Sequence, residues 1–126
     1  LRLVLDKDLS LPSTLHLFDG SVPTIVFTGK EKESYNNVEY IRLDFSTSIL
    51  PQMMEVLYAR NIQSLLVEGG SQLLQSFLDE NCWDEIFVEE APLTLQDGVK
   101  APVPPTDCCI ETTSYFGRII TRYKRK

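Results

Sequence analysis

The sequence feature that most constrains the fold is a series of short apolar runs that do not alternate with polar residues. They lie at Leu3–Leu5, Thr24–Thr28, Tyr40–Leu43 and Ser64–Val67, and the last is the strongest of the four. Continuous apolar runs of this length are typical of strands that are buried on both faces. The sequence therefore predicts a largely parallel sheet covered by helices.

Two amphipathic patterns supply the predicted helices. The first has an apolar stripe at Leu50, Met53, Met54 and Leu57. Thr47 or Ser48 is the predicted N-cap of this helix, and Asn61 is its predicted left-handed terminator. The second helix carries its apolar face at Leu73, Leu74, Phe77 and Leu78 and is predicted to end near Asn81.

The last third of the chain reads as β structure. A strand is predicted at Glu85–Val88, followed by a Pro-rich stretch and two further segments at Ile110–Phe116 and Ile119–Tyr123. These two segments are separated by Gly117-Arg118 and can pair as an antiparallel hairpin. The predicted class is α/β, a three-layer sandwich with a mostly parallel sheet and antiparallel C-terminal strands.

Charge and composition exclude several classes of partner. Hydrophobic residues make up 43% and charged residues 24% of the chain, as in an ordinary globular protein. The net charge of −6 disfavours nucleic acid and anionic membranes, and no apolar stretch is long enough to span a bilayer. We interpret the basic residues at the C-terminus as the solvated end of a last strand, and an anion-binding tail is the alternative.

The cysteines and the single histidine give no sign of a metal site. Cys82, Cys108 and Cys109 are odd in number, lack CxxC spacing and have no histidine partner. Neither a disulfide framework nor zinc is predicted, and reduced thiols fit a cytoplasmic location. His16 is expected to be a surface residue.

The turn after the fourth apolar run carries the predicted chemistry. A buried strand that breaks into Gly69-Gly70 and then a helix presents unpaired amides and the positive end of the helix dipole. Glycine also lets a phosphate approach the backbone, and Ser71 can add a hydroxyl group. The alternative is that the two glycines form only a tight connection.

Glu68 precedes this turn. A carboxylate at the mouth of a buried strand costs free energy unless it is hydrogen-bonded, and it is of no use for holding phosphate. We therefore expect it to accept hydrogen bonds from a second, uncharged or cationic ligand. Capping of local amides is the alternative.

These residues resemble a known family. The run Ile62–Ser71, with Phe77-Leu78, Trp83-Asp84-Glu85 and Ala91-Pro92, is similar to the reductase domain of the bifunctional riboflavin-biosynthesis deaminase/reductase. The opening Leu1–Asp6 and the closing Gly117–Ile120 also match that pattern. The order of elements is more distantly similar to dihydrofolate reductase.

The resemblance implies an NADPH-dependent reduction of 5-amino-6-(5-phosphoribosylamino)uracil, a phosphoribosylaminopyrimidine, to its ribityl product. By position, Glu68 would contact the substrate. The cofactor would be lined by Gly69, Gly70, Ser71, Gln72, Leu73 and Leu74. Lys7 stands where the family often has a small hydroxyl residue, and it could pair with the 2′-phosphate. The family also implies a homodimer.

Several expectations concern what lies outside the sequence. Because the chain opens with Leu1 in an apolar run, we interpret residues 1–126 as a single, partial reductase domain. In the family a strand, a helix and a strand precede this region, and a zinc deaminase domain lies further upstream. No zinc deaminase motif is present in the chain.

No residue is identified as an obligatory proton donor. The alternatives are a nucleotide-binding fragment without activity, another NADPH reductase similar to dihydrofolate reductase, and an interaction domain.

Overall fold

A computed structural model describes all residues from 1 to 126, and the chain divides into two compact units, Leu1–Ser64 and Leu65–Lys126. Each unit contains one three-stranded sheet and one α-helix. The predicted α/β class, with parallel strands followed by antiparallel C-terminal strands, is confirmed. Neither α-helix combines the length and apolar character needed to cross a lipid bilayer.

The first unit is built on a parallel sheet with the strand order β1-β2-β3. Its strands are β1 (Arg2–Leu5), β2 (Thr24–Thr28) and β3 (Val38–Arg42). All five residues of the central strand β2 are buried, as its apolar run predicts. Phe18, in a 3-10 turn between β1 and β2, packs with Val26 and Val38 in the core of this unit.

The connection between β2 and β3 is short for parallel strands. It is possible because the chain first runs back along the sheet and then reverses at Asn36 and Asn37, with φ of 47° and 64°. Tyr35 and Val38 exchange backbone hydrogen bonds of 3.0 and 2.8 Å across this reversal. Two asparagines with positive φ form the mirror-image turn that suits adjacent strands.

The helix α1 (Ile49–Ala59) follows β3 and buries the predicted stripe. Leu50, Met53 and Leu57 are 1%, 4% and 4% exposed, so these side chains are part of the core. Ser48 is the N-cap residue, and Asn61 has φ of 57°. The predicted left-handed terminator is therefore confirmed.

The second unit combines the helix α2 (Ser71–Asp79) with an antiparallel sheet. Its strands, in the spatial order β4-β6-β5, are β4 (Glu85–Glu90), β5 (Cys109–Tyr115) and β6 (Arg118–Lys124). Asn81 has φ of 57° just after α2, as expected for the end of that helix. Phe77 is the buried residue of α2.

The hairpin of β5 and β6 confirms the predicted pairing but shifts its turn by one residue. Tyr115 pairs with Arg118, so the two turn residues are Phe116 and Gly117 rather than Gly117 and Arg118. Both have positive φ, 47° and 76°, the geometry of a type I′ turn.

The prediction of a buried strand at Ser64–Val67 is wrong in this structure. These residues adopt no regular secondary structure, and the side chains of Leu65 and Leu66 are 36% and 81% exposed. A strand exists only when its backbone pairs with a neighbour, and no ladder includes this segment. The apolar sequence of Ser64–Val67 is therefore not sufficient to make this segment a β-strand.

The basic C-terminal strand is solvated and paired, as interpreted from the sequence. Arg118 bonds to Glu89 at 2.5 Å, and Arg122 lies 2.7 Å from Glu85 and 3.6 Å from Glu111. Arg118 and Arg122 are therefore paired with carboxylates of the same sheet.

Candidate functional site

The N-terminus of α2 presents backbone amides that no group in the protein accepts. The first intrahelical hydrogen bond is donated by the Leu74 amide to the Gly70 carbonyl oxygen, at 3.0 Å. The amides of Ser71, Gln72 and Leu73 precede it and have no acceptor in the chain. Unpaired amides at a helix N-terminus favour an anion, because the helix dipole adds partial positive charge there.

Gly70 shapes this turn. It is the N-cap residue, with φ of 69° and ψ of 125°, a conformation that residues with a Cβ atom rarely adopt. A Cβ atom built at Gly69 or Gly70 would meet nothing within 4 Å, so the space beside both glycines is open. The turn can therefore admit a phosphate group to the backbone.

Glu68 lies exposed beside the turn and has no hydrogen bond or ion pair within the chain. The desolvation argument made for it from the sequence does not apply here, because the preceding segment is neither a strand nor buried. Its carboxylate is consequently available to a ligand. No local amide is capped by it.

Lys7 lies in a cleft of the first unit, at the carboxyl ends of the parallel strands. The cleft has a volume of about 630 Å³ and is lined by Lys7, Asp8, Gly29, Lys30, Arg42, Leu43, Asp44, Phe45 and Gln52. Except for Gln52, which lies in α1, these residues end β1, β2 or β3 or follow them in the chain. The carboxyl edge of an open parallel sheet is where ligands bind in α/β folds.

The cations of this cleft differ in their freedom to bind an anion. Lys30 lies 3.9 Å from Asp8, and Arg42 is paired with Glu31 at 2.8 Å. The Lys7 ammonium makes no ion pair, and its contact is the Phe45 ring, 5.7 Å away. Lys7 is thus the cation of the cleft that a phosphate could engage without breaking an existing pair.

The position of Lys7 is set by Asp6 and by the end of β2. The Lys7 carbonyl accepts hydrogen bonds from the Gly29 amide at 2.9 Å and from the Thr28 hydroxyl at 3.1 Å. The Asp6 carboxylate accepts the amides of Leu11 and Ser10 at 3.0 and 2.9 Å and the Ser10 hydroxyl at 3.2 Å.

Burial opposes ionisation of Asp6 and acts to raise the pKa of its carboxyl group. The hydrogen bonds from the Leu11 and Ser10 amides and from the Ser10 hydroxyl outweigh this effect, and they hold the pKa below its usual value. The ionised carboxylate therefore holds the loop from Asp6 to Leu11 in place.

The structure thus brings together one part of the predicted site. Glu68, Gly69, Gly70, Ser71, Gln72 and Leu73 lie on one turn, whereas the Leu74 amide is committed to Gly70 and only its side chain can line a ligand. Sequence reasoning missed Lys30, Arg42 and Phe45. The signal that could have found them is their position just after predicted parallel strands.

From the sequence, neither a zinc site nor a disulfide framework is predicted for the cysteines, and the histidine is expected at the surface. No three histidine, cysteine, aspartate or glutamate side chains converge on a possible metal position. Cys82, Cys108 and Cys109 are free thiols. His16 is exposed, as expected, with Nδ1 3.8 Å from the Asp19 carboxylate.

Comparison with known proteins identifies relatives in riboflavin biosynthesis. Over 109 residues, the chain is 30% identical to the riboflavin biosynthesis protein RibD of Bacillus amyloliquefaciens, which covers 80% of this chain and 29% of the relative. Over 99 residues it is 26% identical to a 2,5-diamino-6-ribosylamino-4(3H)-pyrimidinone 5′-phosphate reductase of Archaeoglobus fulgidus, covering 74% and 45% of the two chains. The chain therefore spans less than half the length of either relative.

Solved structures share the fold. A pyrimidine reductase-like protein from Corynebacterium diphtheriae superposes with a TM-score of 0.76 at 24% identity, covering 97% of this chain and 59% of the other. The Saccharomyces cerevisiae riboflavin biosynthesis reductase Rib7 superposes with a TM-score of 0.75 at 17% identity, covering 97% and 67%. At these identities the likeness shows the fold alone.

A sequence family also matches the chain. The family described as the RibD C-terminal domain matches residues 1–107, most of the chain. This agrees with the resemblance identified from the Val67–Ser71 segment and its flanking residues. The chain belongs to the RibD C-terminal domain family.

Proposed function

We propose that this chain is the reductase part of a riboflavin-biosynthesis enzyme that reduces 5-amino-6-(5-phosphoribosylamino)uracil with NADPH. Membership of the family supports a reductase, and the name of the Archaeoglobus fulgidus relative supports a phosphorylated ribosylaminopyrimidine as the substrate class. The observation that carries the proposal is the set of unpaired amides at Ser71, Gln72 and Leu73 behind the open Gly69-Gly70 turn.

The turn before α2, taken by itself, fits the phosphates of a dinucleotide. The amides at the start of α2 would hold its bridging phosphates, and the open space at Gly70 allows the close approach that a Cβ atom would fill. For the first unit considered separately, the family resemblance supports a phosphate contact at Lys7, and the 2′-phosphate that distinguishes NADPH from NADH is the group we propose for it. The half-buried Phe45 ring, which lines that cleft, offers an apolar surface for a base.

When bound, NADPH supplies a hydride for C1′ of the open-chain imine form of the substrate. Ring opening with one proton taken from solvent would give a protonated imine, and addition of the hydride to its C1′ would convert the C=N bond into a CH₂–NH bond. Glu68 would accept hydrogen bonds from the substrate, and its negative charge would stabilise the protonated, cationic imine. The exposed and unpaired carboxylate of Glu68 is suited to this role.

Differential stabilisation by nucleotides tests the proposal. At about a hundred times its dissociation constant, NADPH should add roughly 2.7 kcal/mol to the free energy of unfolding, and NADH should add much less. Thermal unfolding, with the emission of Trp83, measures both. Equal stabilisation by the two nucleotides would indicate a generic nucleotide site, and no stabilisation by either would contradict a dinucleotide site.

The variant Lys7→Gln tests whether Lys7 binds the 2′-phosphate of NADPH. It should weaken NADPH binding by about tenfold and leave NADH binding unchanged, since one charge-assisted contact is lost. Lys32→Gln is the matched control, because Lys32 lies in the same unit over the Tyr40 ring and does not line the cleft. Equal NADPH affinity in wild type and Lys7→Gln would remove Lys7 from the site.

The role of Glu68 is tested by Glu68→Gln in the enzyme that contains this domain. Turnover should fall sharply while NADPH affinity stays almost unchanged, because the lost charge acts on the substrate. Turnover equal to that of the wild type would exclude Glu68 from the reaction.

A further inference from the structure

The connection between β4 and β5 is long and irregular. It covers residues 91–108 and contains no helix and no strand. Connections of more than about 15 residues without secondary structure are uncommon in compact domains and often belong to binding sites. Its middle part, residues 100–103, lies against α2, and we call this segment the α2 loop.

A hydrogen bond from one glutamine attaches the α2 loop to the helix. The Val103 amide donates to Gln75 Oε1 at 3.0 Å. The other end of the same side chain donates from Nε2 to Asp79 Oδ1 at 2.8 Å. Because Asp79 accepts from the amino group of Gln75, the side-chain oxygen of Gln75 is turned toward the loop. Gln75 therefore bridges α2 and the loop.

Prolines on both sides of Val103 stiffen this part of the chain. Pro102 precedes Val103, and Pro104 and Pro105 follow it. Each proline fixes its own φ at roughly −65° and restricts the backbone of the residue before it. The attachment at Val103 consequently sets the position of the neighbouring backbone, including that of Lys100.

The α2 loop and the polar face of α2 border an open cavity of about 380 Å³. Ser71 and Gln72, in the first turn of the helix, line this cavity together with Lys100. The amides of Ser71 and Gln72 are among those that have no acceptor in the chain. The cavity therefore adjoins the turn that we propose to hold phosphate.

Lys100 is the cation among the residues that line this cavity. Its ammonium group makes no ion pair, although the Asp79 carboxylate lines the same cavity. Asp79 is bonded to Gln75 instead, and it lies about 12 Å along the helix axis from Ser71, at ~1.5 Å per residue. An anion is thus favoured at the start of the helix and disfavoured at its end.

We propose that Lys100 binds the bridging phosphates of the dinucleotide, and that Gln75 is the positioning residue that holds Lys100 beside them. This inference rests on the proposed function, because the first turn of α2 is the proposed phosphate site. The free amides donate hydrogen bonds to the anion, and the Lys100 ammonium adds a charge-assisted one. NADPH and NADH share these phosphates, so Lys100 serves both nucleotides alike.

The variant Lys100→Gln, made in the enzyme that contains this domain, tests the phosphate contact. It should weaken the binding of NADPH and of NADH by the same factor, about tenfold, since one charge-assisted contact is lost from each. Titration calorimetry measures both dissociation constants. Lys100→Arg keeps the charge and should restore most of the affinity. Lys124→Gln is the matched control, because it makes the same charge change on β6, outside the cavity, and should leave both constants unchanged.

The pattern across the two nucleotides separates this inference from the proposed function. Equal affinities in wild type and Lys100→Gln would overturn the role of Lys100 and leave the dinucleotide site in place. A loss of NADPH affinity alone would also overturn it, because the contact would then be to the 2′-phosphate. No binding of either nucleotide by the wild type would overturn the proposed function and this inference with it.

The variant Gln75→Leu tests the positioning role, because leucine is a good helix former that cannot accept the hydrogen bond from Val103. It should weaken the binding of both nucleotides by about fivefold. Combined with Lys100→Gln, it should cause no further loss beyond that of Lys100→Gln alone, since Gln75 acts through Lys100. Additive losses would contradict the positioning role.

Limited proteolysis measures the attachment of the loop without any nucleotide. Trypsin should cut after Lys100 faster in Gln75→Leu than in the wild type, because a released loop enters the protease more readily. Lys124→Gln should be cut there at the wild-type rate, and mass spectrometry identifies the fragments. Equal rates in wild type and Gln75→Leu would show that the Gln75 hydrogen bond does not hold the loop, which would overturn the positioning role.

Discussion

Asp6 illustrates how a single buried carboxylate organises a ligand-facing loop. It is 6% exposed and accepts three hydrogen bonds from Ser10 and Leu11, while the adjacent Lys7 projects into the cleft. Because these bonds are made by the ionised form, the folded state holds the pKa of Asp6 below that of the unfolded chain. The contribution to stability is therefore present above the unfolded pKa and is lost as the pH falls through the folded pKa.

Asp6→Asn should lower the free energy of unfolding at pH 7 by about 1–3 kcal/mol. Asparagine has only one side-chain oxygen, so it cannot accept the hydrogen bonds that both carboxylate oxygens of Asp6 accept. The difference from wild type should shrink below about pH 4, where the carboxyl group becomes protonated. Urea denaturation across this pH range measures it. Asp8→Asn is the control and should change stability by less than about 0.5 kcal/mol, because Asp8 is an exposed neighbour. A difference that stayed constant with pH would contradict this account of Asp6.

Gly70 is the residue whose backbone conformation the candidate phosphate turn requires. Gly70→Ala should destabilise the protein by about 1–2 kcal/mol, because the positive φ of 69° is strained with a Cβ atom. Gly69→Ala should cost less, since Gly69 lacks a positive φ and has the same open surroundings. Urea denaturation of the two variants compares them, and equal costs would show that φ at Gly70 is not the cause.

At the scale of elements, the turn of the β5–β6 hairpin contains Phe116, a residue type that is disfavoured at the positive φ this turn requires. Phe116 has φ of 47° and is 88% exposed, so its ring contributes little burial, whereas asparagine and glycine are the usual residues of this turn. The Tyr115 and Phe116 rings meet edge to face at 4.5 Å on the hairpin tip.

Phe116→Asn should raise the free energy of unfolding by about 0.5–1 kcal/mol, because Asn-Gly adopts the type I′ turn without strain. Thermal unfolding at a fixed protein concentration measures the gain. Ser114→Asn, which places asparagine in the strand rather than the turn, should give no gain. A decrease for Phe116→Asn would mean that the aromatic contact outweighs the backbone preference.

At the scale of the whole molecule, the chain is held together without covalent cross-links. Cys82, Cys108 and Cys109 are free, and the two adjacent cysteines precede and begin β5. Stability in both units must therefore come from burial and hydrogen bonding.

A thiol-reactive dye should consequently label three cysteines per chain in denaturant without prior reduction. The unfolding temperature should be the same with and without a reducing agent, because no disulfide restricts the unfolded state. A thermal shift on reduction, or fewer than three labelled thiols, would indicate a cross-link between these residues.

Features that depend on local sequence could be predicted from the sequence alone. The stripe at Leu50, Met53 and Leu57, the terminators Asn61 and Asn81, and the strand Thr24–Thr28 are all present as expected, because each reflects a periodicity or a backbone preference within a few residues. The Gly70 turn before α2 was predicted for the same reason.

Only the tertiary structure decided the features that require a partner distant in sequence. Ser64–Val67 has the strongest apolar pattern but no neighbouring strand, so its backbone remains unpaired. The cleft around Lys7 gathers Lys30, Arg42 and Phe45 because three parallel strands end at one edge. Side-chain periodicity reports which residues tend to be buried, whereas pairing and convergence depend on the positions of other segments.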